Sequence, residues 1–248
     1  MPFVVPAQKH GLVTGYAHPS VWRFRSMVGQ SVEMTELPMF PLGSVLFPHM
    51  PLALRVFEER YVVMLSRILV DEPSEFGVVL IERGQEVGGG EHRFGFGTVA
   101  EIVQLEAKEG YIALVAQGGR RVEVVEWQGD DPYPRARIRE LDELEWSDDM
   151  LPLLAQAEHE VRRTLALASE FADLPWSPTV EISEDPVEAA WQLAAISPLG
   201  PLDQVTLLRA TSMKQLLLLL FKLTVDAAES LGDTWPVDDD EVEGDDGS

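Results

Sequence analysis

The chain has 248 residues, a formal net charge of −23 and no cysteine. The lack of cysteine excludes disulfides, thiolate nucleophiles and cysteine-ligated metals, and the acidity disfavours nucleic-acid binding because phosphate groups would be repelled. Apolar residues make up 46% of the chain, which is enough for a sizeable core in one or two domains.

The N-terminal residues do not have the pattern of a secretory signal. Residues 2–8 are too short and too interrupted by proline to form an apolar signal core. The apolar run at residues 216–221 is far too short to cross a bilayer. Together with the lack of cysteine, these observations predict a cytoplasmic protein with no membrane contact.

Changes in pattern divide the sequence into four segments. Residues 1–35 lack clear periodicity, which predicts a disordered or extended N-terminal tail. Residues 36–143 are predicted to form a β-rich domain, and residues 148–232 a helical bundle. Residues 233–248 contain runs of Asp and Glu, which predict an acidic, disordered tail.

The first patterned stretch, residues 37–61, contains four prolines separated by short apolar runs. Each proline lacks an N–H donor and restrains the residue before it, so a continuous helix is excluded. The apolar runs at 39–40, 45–47 and 52–54 predict three short buried strands separated by turns. The predicted core residues are Phe40, Leu46, Phe47, Leu52 and Phe57.

Alternating and β-branched runs follow a predicted helix at residues 59–70. Strands are predicted at 76–81, 97–105, 111–116, 121–127 and 134–141, with a glycine loop at 85–94 and a turn at 117–119. Short strands separated by glycine turns predict a barrel or sandwich.

From about residue 150 the apolar periodicity becomes helical. Helices are predicted at 150–171, 187–196 and 202–209, and a last one up to residue 231 with Thr211 as its cap. Asp185-Pro186 has the pattern of an N-cap followed by a first-turn proline. The run at 216–221 is apolar on all sides, which predicts a helix buried at the centre of a bundle. The predicted fold class is therefore α+β.

The motifs that support catalysis are missing from the sequence. No lysine follows a glycine, so a nucleotide-hydrolysing loop is excluded, and no Gly-x-Ser-x-Gly elbow is present. The histidines are scattered and do not form a His-Glu-x-x-His pattern. We therefore predict no catalytic residue, no metal and no cofactor.

The candidates for peptide binding are His92, Phe94 and Phe96, in or next to the glycine loop, and Arg120, which follows the predicted turn at 117–119. A phenylalanine that faces solvent next to a mobile loop would provide an apolar spot suited to peptide capture, whereas both phenylalanines would be buried if they belong to the core. Two groups of arginines could contact an acidic partner, or could pair with acids of the helical segment. They are the adjacent Arg120 and Arg121 and the alternating Arg135, Arg137 and Arg139 of the last predicted strand.

A series of short motifs occurs in a fixed order along the chain. They are Phe40-Pro41-Leu42, Leu46-Phe47-Pro48, Pro51-Leu52, Val56-Phe57-Glu58, Arg60-Tyr61, Phe76-Gly77-Val78-Val79, Gly97-Thr98-Val99-Ala100 and Gly119-Arg120-Arg121-Val122, followed by Leu193-Ala194 and residues 196–201. In this order and spacing they resemble the N-terminal, substrate-binding domain of Lon proteases. The resemblance covers about residues 36–231.

The resemblance implies a PUA-like β pseudo-barrel joined to a C-terminal helical bundle. It also implies a non-catalytic module that binds unfolded or degron-bearing polypeptides for a protease complex. The sequence contains neither the nucleotide-binding loop nor the Ser–Lys peptidase of full-length Lon. A stand-alone substrate-binding protein without enzymatic activity is therefore expected.

Two alternatives remain open from the sequence. A PUA-like fold can also serve as an RNA-binding module, which the arginines of residues 134–141 favour and the net charge opposes. A small-ligand sensor would require a pocket in which several polar groups converge.

Overall fold

The computed structural model of the protein describes residues 22–24, 32–70, 73–82 and 92–233. The strands are β1 (Trp22–Phe24), β2 (Val32–Leu42), β3 (Pro51–Val56), β4 (Glu75–Glu82), β5 (His92–Lys108), β6 (Tyr111–Gly129) and β7 (Arg135–Glu140). The helices are α1 (Glu59–Ile68), α2 (Leu151–Ala168), α3 (Pro186–Ile196), α4 (Pro201–Leu208) and α5 (Met213–Asp233). Most of both predicted tails, and most of the predicted glycine loop, lie outside the described residues.

The strands form one mixed sheet in the order β1-β2-β4-β5-β6-β3. Strand β7 pairs with both β2 and β6, so the pairings that run through β2, β4, β5, β6 and β7 return to β2. The β2–β4 pair is parallel and the other pairs are antiparallel. The chain is therefore a mixed α/β structure with a single described sheet followed by helices.

Strand β2 corrects the prediction of short strands between the first prolines. It runs unbroken for 11 residues through Pro38 and Pro41, whereas residues 45–47 form no strand. The strand changes partner after Pro38, from β7 to β4. A strand tolerates proline wherever the missing N–H is not needed by a neighbour, so these prolines do not interrupt pairing.

Strand β6 corrects the predicted turn at residues 117–119, because it is continuous from Tyr111 to Gly129. Gly118 is needed for a different reason. A Cβ at this position would lie 2.2 Å from the carbonyl oxygen of Phe47. The backbone of Gly118 also accepts a hydrogen bond from the N–H of His49 and donates one to the carbonyl of Met50. Glycine here allows the loop before β3 to lie directly on the sheet.

The predicted cap of α3 is confirmed, whereas the cap of α5 lies one residue later than predicted. Asp185 caps α3, since its side chain accepts hydrogen bonds from the N–H groups of Val187 and Glu188. At the start of α5 it is Ser212, not Thr211, whose hydroxyl accepts from the N–H of Gln215. The side chain of Gln215 accepts from the N–H and the hydroxyl of Thr211, one residue before Ser212, so these three residues together cap the start of α5.

One large core cluster joins side chains of the sheet to side chains of the helices. Phe47, from the loop before β3, lies 6.1 Å from Trp191 of α3 between ring centroids. Phe40, Leu46 and Phe47 are buried as predicted, but Phe57 is 73% exposed and was wrongly assigned to the core. The reason is local: Phe57 follows the last residue of β3 and precedes α1, so neither a strand face nor a helix face directs it inward.

Helix α5 is not buried on all sides. Leu216, Leu217 and Leu220 are fully buried, whereas Leu218 is 49% and Phe221 36% exposed. A run of apolar residues around a whole helix therefore does not show that the whole surface of that helix is covered.

Candidate functional site

The structure places the predicted peptide-binding residues on strands β5 and β6. His92 is the first residue of β5, and its side chain lies outside the described part of the structure. Phe94 and Phe96 are both partly buried. The guanidinium carbon of Arg209, at the end of α4, lies 4.6 Å from the centroid of the Phe96 ring. The Phe96 ring is thus covered on one side by a cation and does not stand free in solvent.

Arg120 is held between two carboxylates. It donates two hydrogen bonds to Glu75, at 2.6 and 2.8 Å, and one to Glu140 at 2.5 Å. The hydrogen bonds to Glu75, with the attraction of both carboxylates, hold the pKa of Arg120 above its ordinary value although burial lowers it. Because this charge is already paired, any acidic ligand would have to compete with Glu75 and Glu140 for it.

The sheet brings Phe96 and Arg209 together but directs Arg120 elsewhere. Phe96 is paired with Glu123, and Thr98 with Arg121, so these residues share one face of the sheet. Arg120 precedes Arg121 in the same strand and therefore points to the opposite face. Phe96 and Arg120 therefore do not belong to one cluster, and peptide binding at the predicted residues stays a prediction.

Sequence reasoning missed the role of Arg121. This side chain is 5% exposed, and it donates hydrogen bonds to the carbonyl oxygens of Leu208, Ala210 and Asp142 at 2.6–2.9 Å. It also lies against the ring of Trp191. In the sequence it is the second of two adjacent arginines, and strand alternation predicts that one of them faces inward but not which one.

A surface cleft lies on the outer face of strands β3, β5 and β6. It has a volume of about 230 Å³. Antiparallel register places Ala53 beside Val115 and Arg55 beside Ala113, so the small side chains form the floor. The complete lining is Ala53, Leu54, Arg55, Gln104, Glu106, Ala113, Leu114 and Val115. We refer to it as the β3 cleft.

The β3 cleft borders an unpaired strand edge. Within the described residues, β3 pairs with β6 alone and ends the strand order of the sheet. Leu52 and Leu54 pack against the core from its inner face, while Pro51, Ala53 and Arg55 are exposed. The outer edge of β3 therefore presents backbone N–H and C=O groups that no described strand uses.

The two charged residues that line the β3 cleft differ in whether they are paired. Arg55 lies 5.6 Å from the centroid of the Tyr111 ring and forms no ion pair with any described carboxylate. Glu106, on the other side, is paired with Lys108. The cleft thus combines a small-residue floor with one cation that is still available to a ligand. No cluster of metal-binding side chains occurs in the described parts of the chain.

The arginines of β7 are paired within the sheet. Arg135 pairs with Glu36 of β2, while Arg137 and Arg139 pair with Glu126 and Glu123 of β6. Their partners are therefore carboxylates of neighbouring strands and not, as the sequence suggested, those of the helical segment.

The sequence matches a family model described as the ATP-dependent protease La (LON) substrate-binding domain, over residues 36–226. It is 27% identical to a LON peptidase N-terminal domain and RING finger protein of Schizosaccharomyces pombe, over 53% of this chain and 30% of that protein. It is 26% identical to a Lon protease of Halothermothrix orenii, over 79% of this chain and 25% of that protein. The chain thus spans less than a third of either relative.

Two solved structures share the fold. The crystal structure of a Lon N-terminal domain protein from Xanthomonas campestris matches with a TM-score of 0.53 and 25% identity, covering 75% of this chain and 97% of that one. The N-terminal domain of a Mycobacterium avium complex Lon protease matches with a TM-score of 0.54 and 17% identity, covering 77% and 99%. The similarity is to the substrate-binding domain and not to the peptidase.

Proposed function

We propose, because this chain belongs to the Lon substrate-binding domain family, that it binds polypeptide segments in extended conformation and does so without catalysing a reaction. Family membership supports a substrate-recognition module. That the ligands are unfolded or degron-bearing chains, that a protease complex receives them, and that the sheet is a PUA-like pseudo-barrel are parts of this proposal. A cytoplasmic location, favoured by the lack of cysteine, completes it.

The observation that carries the proposal is the free edge of β3 beside the β3 cleft. An extended peptide can add a strand to an unpaired edge, where backbone hydrogen bonds supply affinity that does not depend on sequence. A folded protein has few unpaired strands to offer, whereas an unfolded segment has many. Pairing at the edge of β3 therefore favours unfolded chains, because they offer more unpaired backbone.

The cleft adds side-chain selectivity to backbone pairing. Its floor of Ala53, Ala113 and Val115 leaves room for an apolar side chain, while Arg55 at its wall can attract a carboxylate. Phe57 follows directly after β3 and is 73% exposed, so an apolar side chain lies at the end of the same strand. A preferred ligand would place an apolar residue in the cleft and an acidic residue next to Arg55.

Fluorescence anisotropy with a dye-labelled, reduced and carboxymethylated α-lactalbumin tests the proposal, with native α-lactalbumin as the folded comparison. We expect saturable binding of the unfolded form and at least about tenfold weaker binding of the folded form, since only the former can offer a free strand. Equal binding of both forms, or of neither, would overturn the proposal.

The location of the site is tested by Ala53→Arg, which fills the floor of the cleft from an exposed position. Ala155→Arg is the matched control, because Ala155 is also an exposed alanine but lies on α2. We expect Ala53→Arg alone to weaken binding of the unfolded ligand. If both variants bind like the parent protein, the β3 cleft is not the site, although polypeptide binding would stand.

RNA binding is not favoured by the structure. The arginines of β7 that suggested it are each paired with a carboxylate of the sheet, and the net charge of −23 repels phosphate. A small-ligand sensor is also not favoured, because the β3 cleft lies open on the sheet surface and carries few polar groups.

A further inference from the structure

The exposed face of α5 differs chemically from the rest of this acidic molecule. Lys214, Leu218, Phe221, Lys222 and Val225 share one side of the helix, because residues spaced by whole turns of about 3.6 residues align. Both lysines are exposed, and the three apolar side chains are partly or substantially exposed. We refer to these five residues as the α5 face.

The lysines of the α5 face have no acidic partner in the described coordinates. None of the ion pairs there involves Lys214 or Lys222. This is unexpected in a chain with 42 acidic and 19 basic residues, because acidic groups are abundant. Two unpaired cations beside an apolar strip match a segment that combines carboxylates with apolar side chains.

We propose that the acidic segment 234–248 of this same chain docks along the α5 face. The segment contains seven Asp and Glu residues between positions 238 and 246, together with Trp235, Val237 and Val242. It follows directly after α5, which ends at Asp233. The carboxylates pair with the lysines, and the apolar side chains cover Leu218, Phe221 and Val225.

The spacing of the acidic residues in segment 234–248 agrees with the spacing of the two lysines on α5. At about 1.5 Å per residue, Lys222 lies about 16 Å and Lys214 about 28 Å back from the end of α5. An extended chain advances about 3.3 Å per residue, so it reaches these points after about 5 and 9 residues. After a short reversal, residues 238–241 therefore lie beside Lys222, and residues 243–246 beside Lys214.

The carboxylates of Glu229 and Asp226 also lie on or beside this side of α5, towards its end, and would repel an acidic segment placed next to them. The four residues that follow Asp233 are Thr234, Trp235, Pro236 and Val237, none of which is charged. The uncharged part of the segment thus passes Glu229 and Asp226, and its carboxylates begin only at Asp238, which the spacing above places beside Lys222.

Zero-length crosslinking of the full-length protein with a carbodiimide tests the proposal, because this reagent joins a lysine amine to a carboxylate only when the two are in contact. We expect links from Lys222 to residues 238–241 and from Lys214 to residues 243–246, identified by mass spectrometry. Mixing ¹⁴N- and ¹⁵N-labelled protein before the reaction distinguishes links within one molecule from links between two copies. Links within one isotope support the proposal, whereas links mainly between isotopes show that a second copy supplies the acidic segment and overturn it.

Leu218→Asp removes part of the apolar strip and places a carboxylate one turn from each lysine, where it competes with the acidic segment, so we expect it to reduce these links by about fivefold or more. Leu202→Asp on α4 is the matched control, since Leu202 is a similarly exposed leucine, at 59%, and should leave the links unchanged. Equal loss in both variants, or no links in the parent protein, would contradict the proposal.

A second measurement avoids any change in the folded part. Replacing the seven acidic residues of the segment by Asn and Gln should raise deuterium uptake in peptides from α5, because the segment that covers its exposed side would be lost. Unchanged uptake would overturn the proposal. Neither this measurement nor the crosslinking involves the β3 cleft, so the outcome does not depend on the proposed polypeptide binding.

Discussion

The guanidinium carbon of Arg121 lies 5.1 Å from the centroid of the Trp191 ring, so strand β6 meets helix α3 through a cation and an aromatic face. The same guanidinium donates to backbone carbonyls of Leu208, Ala210 and Asp142. Burial lowers the pKa of Arg121 below its ordinary value, which the nearby Asp142 carboxylate partly offsets. The sheet and the helices are thus joined by a charge whose direct partners are neutral oxygens.

Arg121→Ala should destabilise the protein by about 3 kcal/mol or more, because three carbonyl oxygens lose a donor in a buried place. Arg121→Lys should recover part of this stability, since an ammonium group can satisfy some of the carbonyls but cannot match the planar guanidinium against Trp191. Urea unfolding measures both values. Arg209→Ala is the control, because Arg209 is exposed and its guanidinium lies against the Phe96 ring. A loss of stability equal to that of Arg121→Ala would contradict the role assigned to Arg121.

Gly118→Ala should cost about 2 kcal/mol or more, because the added Cβ would meet the backbone oxygen of Phe47 and the loop before β3 would have to move. Gly119→Ala is a matched control in the same strand, since its nearest neighbour would be 3.6 Å away. We expect the control to stay within about 0.5 kcal/mol of the parent protein in urea unfolding. Similar losses in both variants would show that backbone freedom, and not the close approach, explains Gly118.

Asp130 should contribute a pH-dependent part of the stability. Two hydrogen bonds from Arg93, at 2.7 and 2.8 Å, are the main reason that the pKa of Asp130 lies below its ordinary value. A lowered folded-state pKa means that the contribution is present above the unfolded pKa of about 3.9 and is lost as the pH falls through the folded value. Because the Asp130 side chain is 52% exposed, we expect less than about 1 kcal/mol.

The test compares Asp130→Asn with the parent protein in urea between pH 7 and pH 3. The variant should be less stable at pH 7, and the difference should narrow below about pH 4, where Asp130 of the parent protein becomes protonated too. A difference that stays constant over this range would show that the Asp130 charge is not responsible.

Phe57→Ala should change the free energy of unfolding by less than about 0.5 kcal/mol, since the ring is 73% exposed. Phe47→Ala, in the same proline-rich stretch, should cost about 3–5 kcal/mol because its ring is 1% exposed and packs near Trp191. Thermal and urea unfolding of the two variants check this contrast. A large loss of stability in Phe57→Ala would mean that the Phe57 ring is covered in solution.

Elements with a clear local pattern were predictable from the sequence. The helix that begins at Glu59, the strand around residues 76–81 and the Asp185 cap all appear where the periodicity and capping residues indicate. The predictions were wrong where a residue type can serve two different structural roles. Glycine at 118 was assigned to a turn but serves a close approach, and the prolines of β2 were assigned to strand breaks but lie within a strand.

The candidate site was less predictable than the fold. Phe94 and Phe96 were chosen as aromatic residues close to the glycine loop in the sequence, and Arg120 was chosen for its charge, but strand alternation places Phe96 and Arg120 on opposite faces. The β3 cleft involves three strands that are distant in the sequence, and its floor consists of small, chemically plain residues. A pattern of alanine and valine gives no local sign that a surface depression will form.

The sequence by itself determined the family, the mixed α/β class and the acidic character, because ordered motifs, hydrophobic periodicity and charge are properties of the chain read in one dimension. Only the tertiary structure decided which of two adjacent arginines is buried, which edge of the sheet remains unpaired and which face of α5 is exposed. Each of these depends on contacts between residues far apart in the chain. Local pattern narrows the choices, and packing between distant elements selects among them.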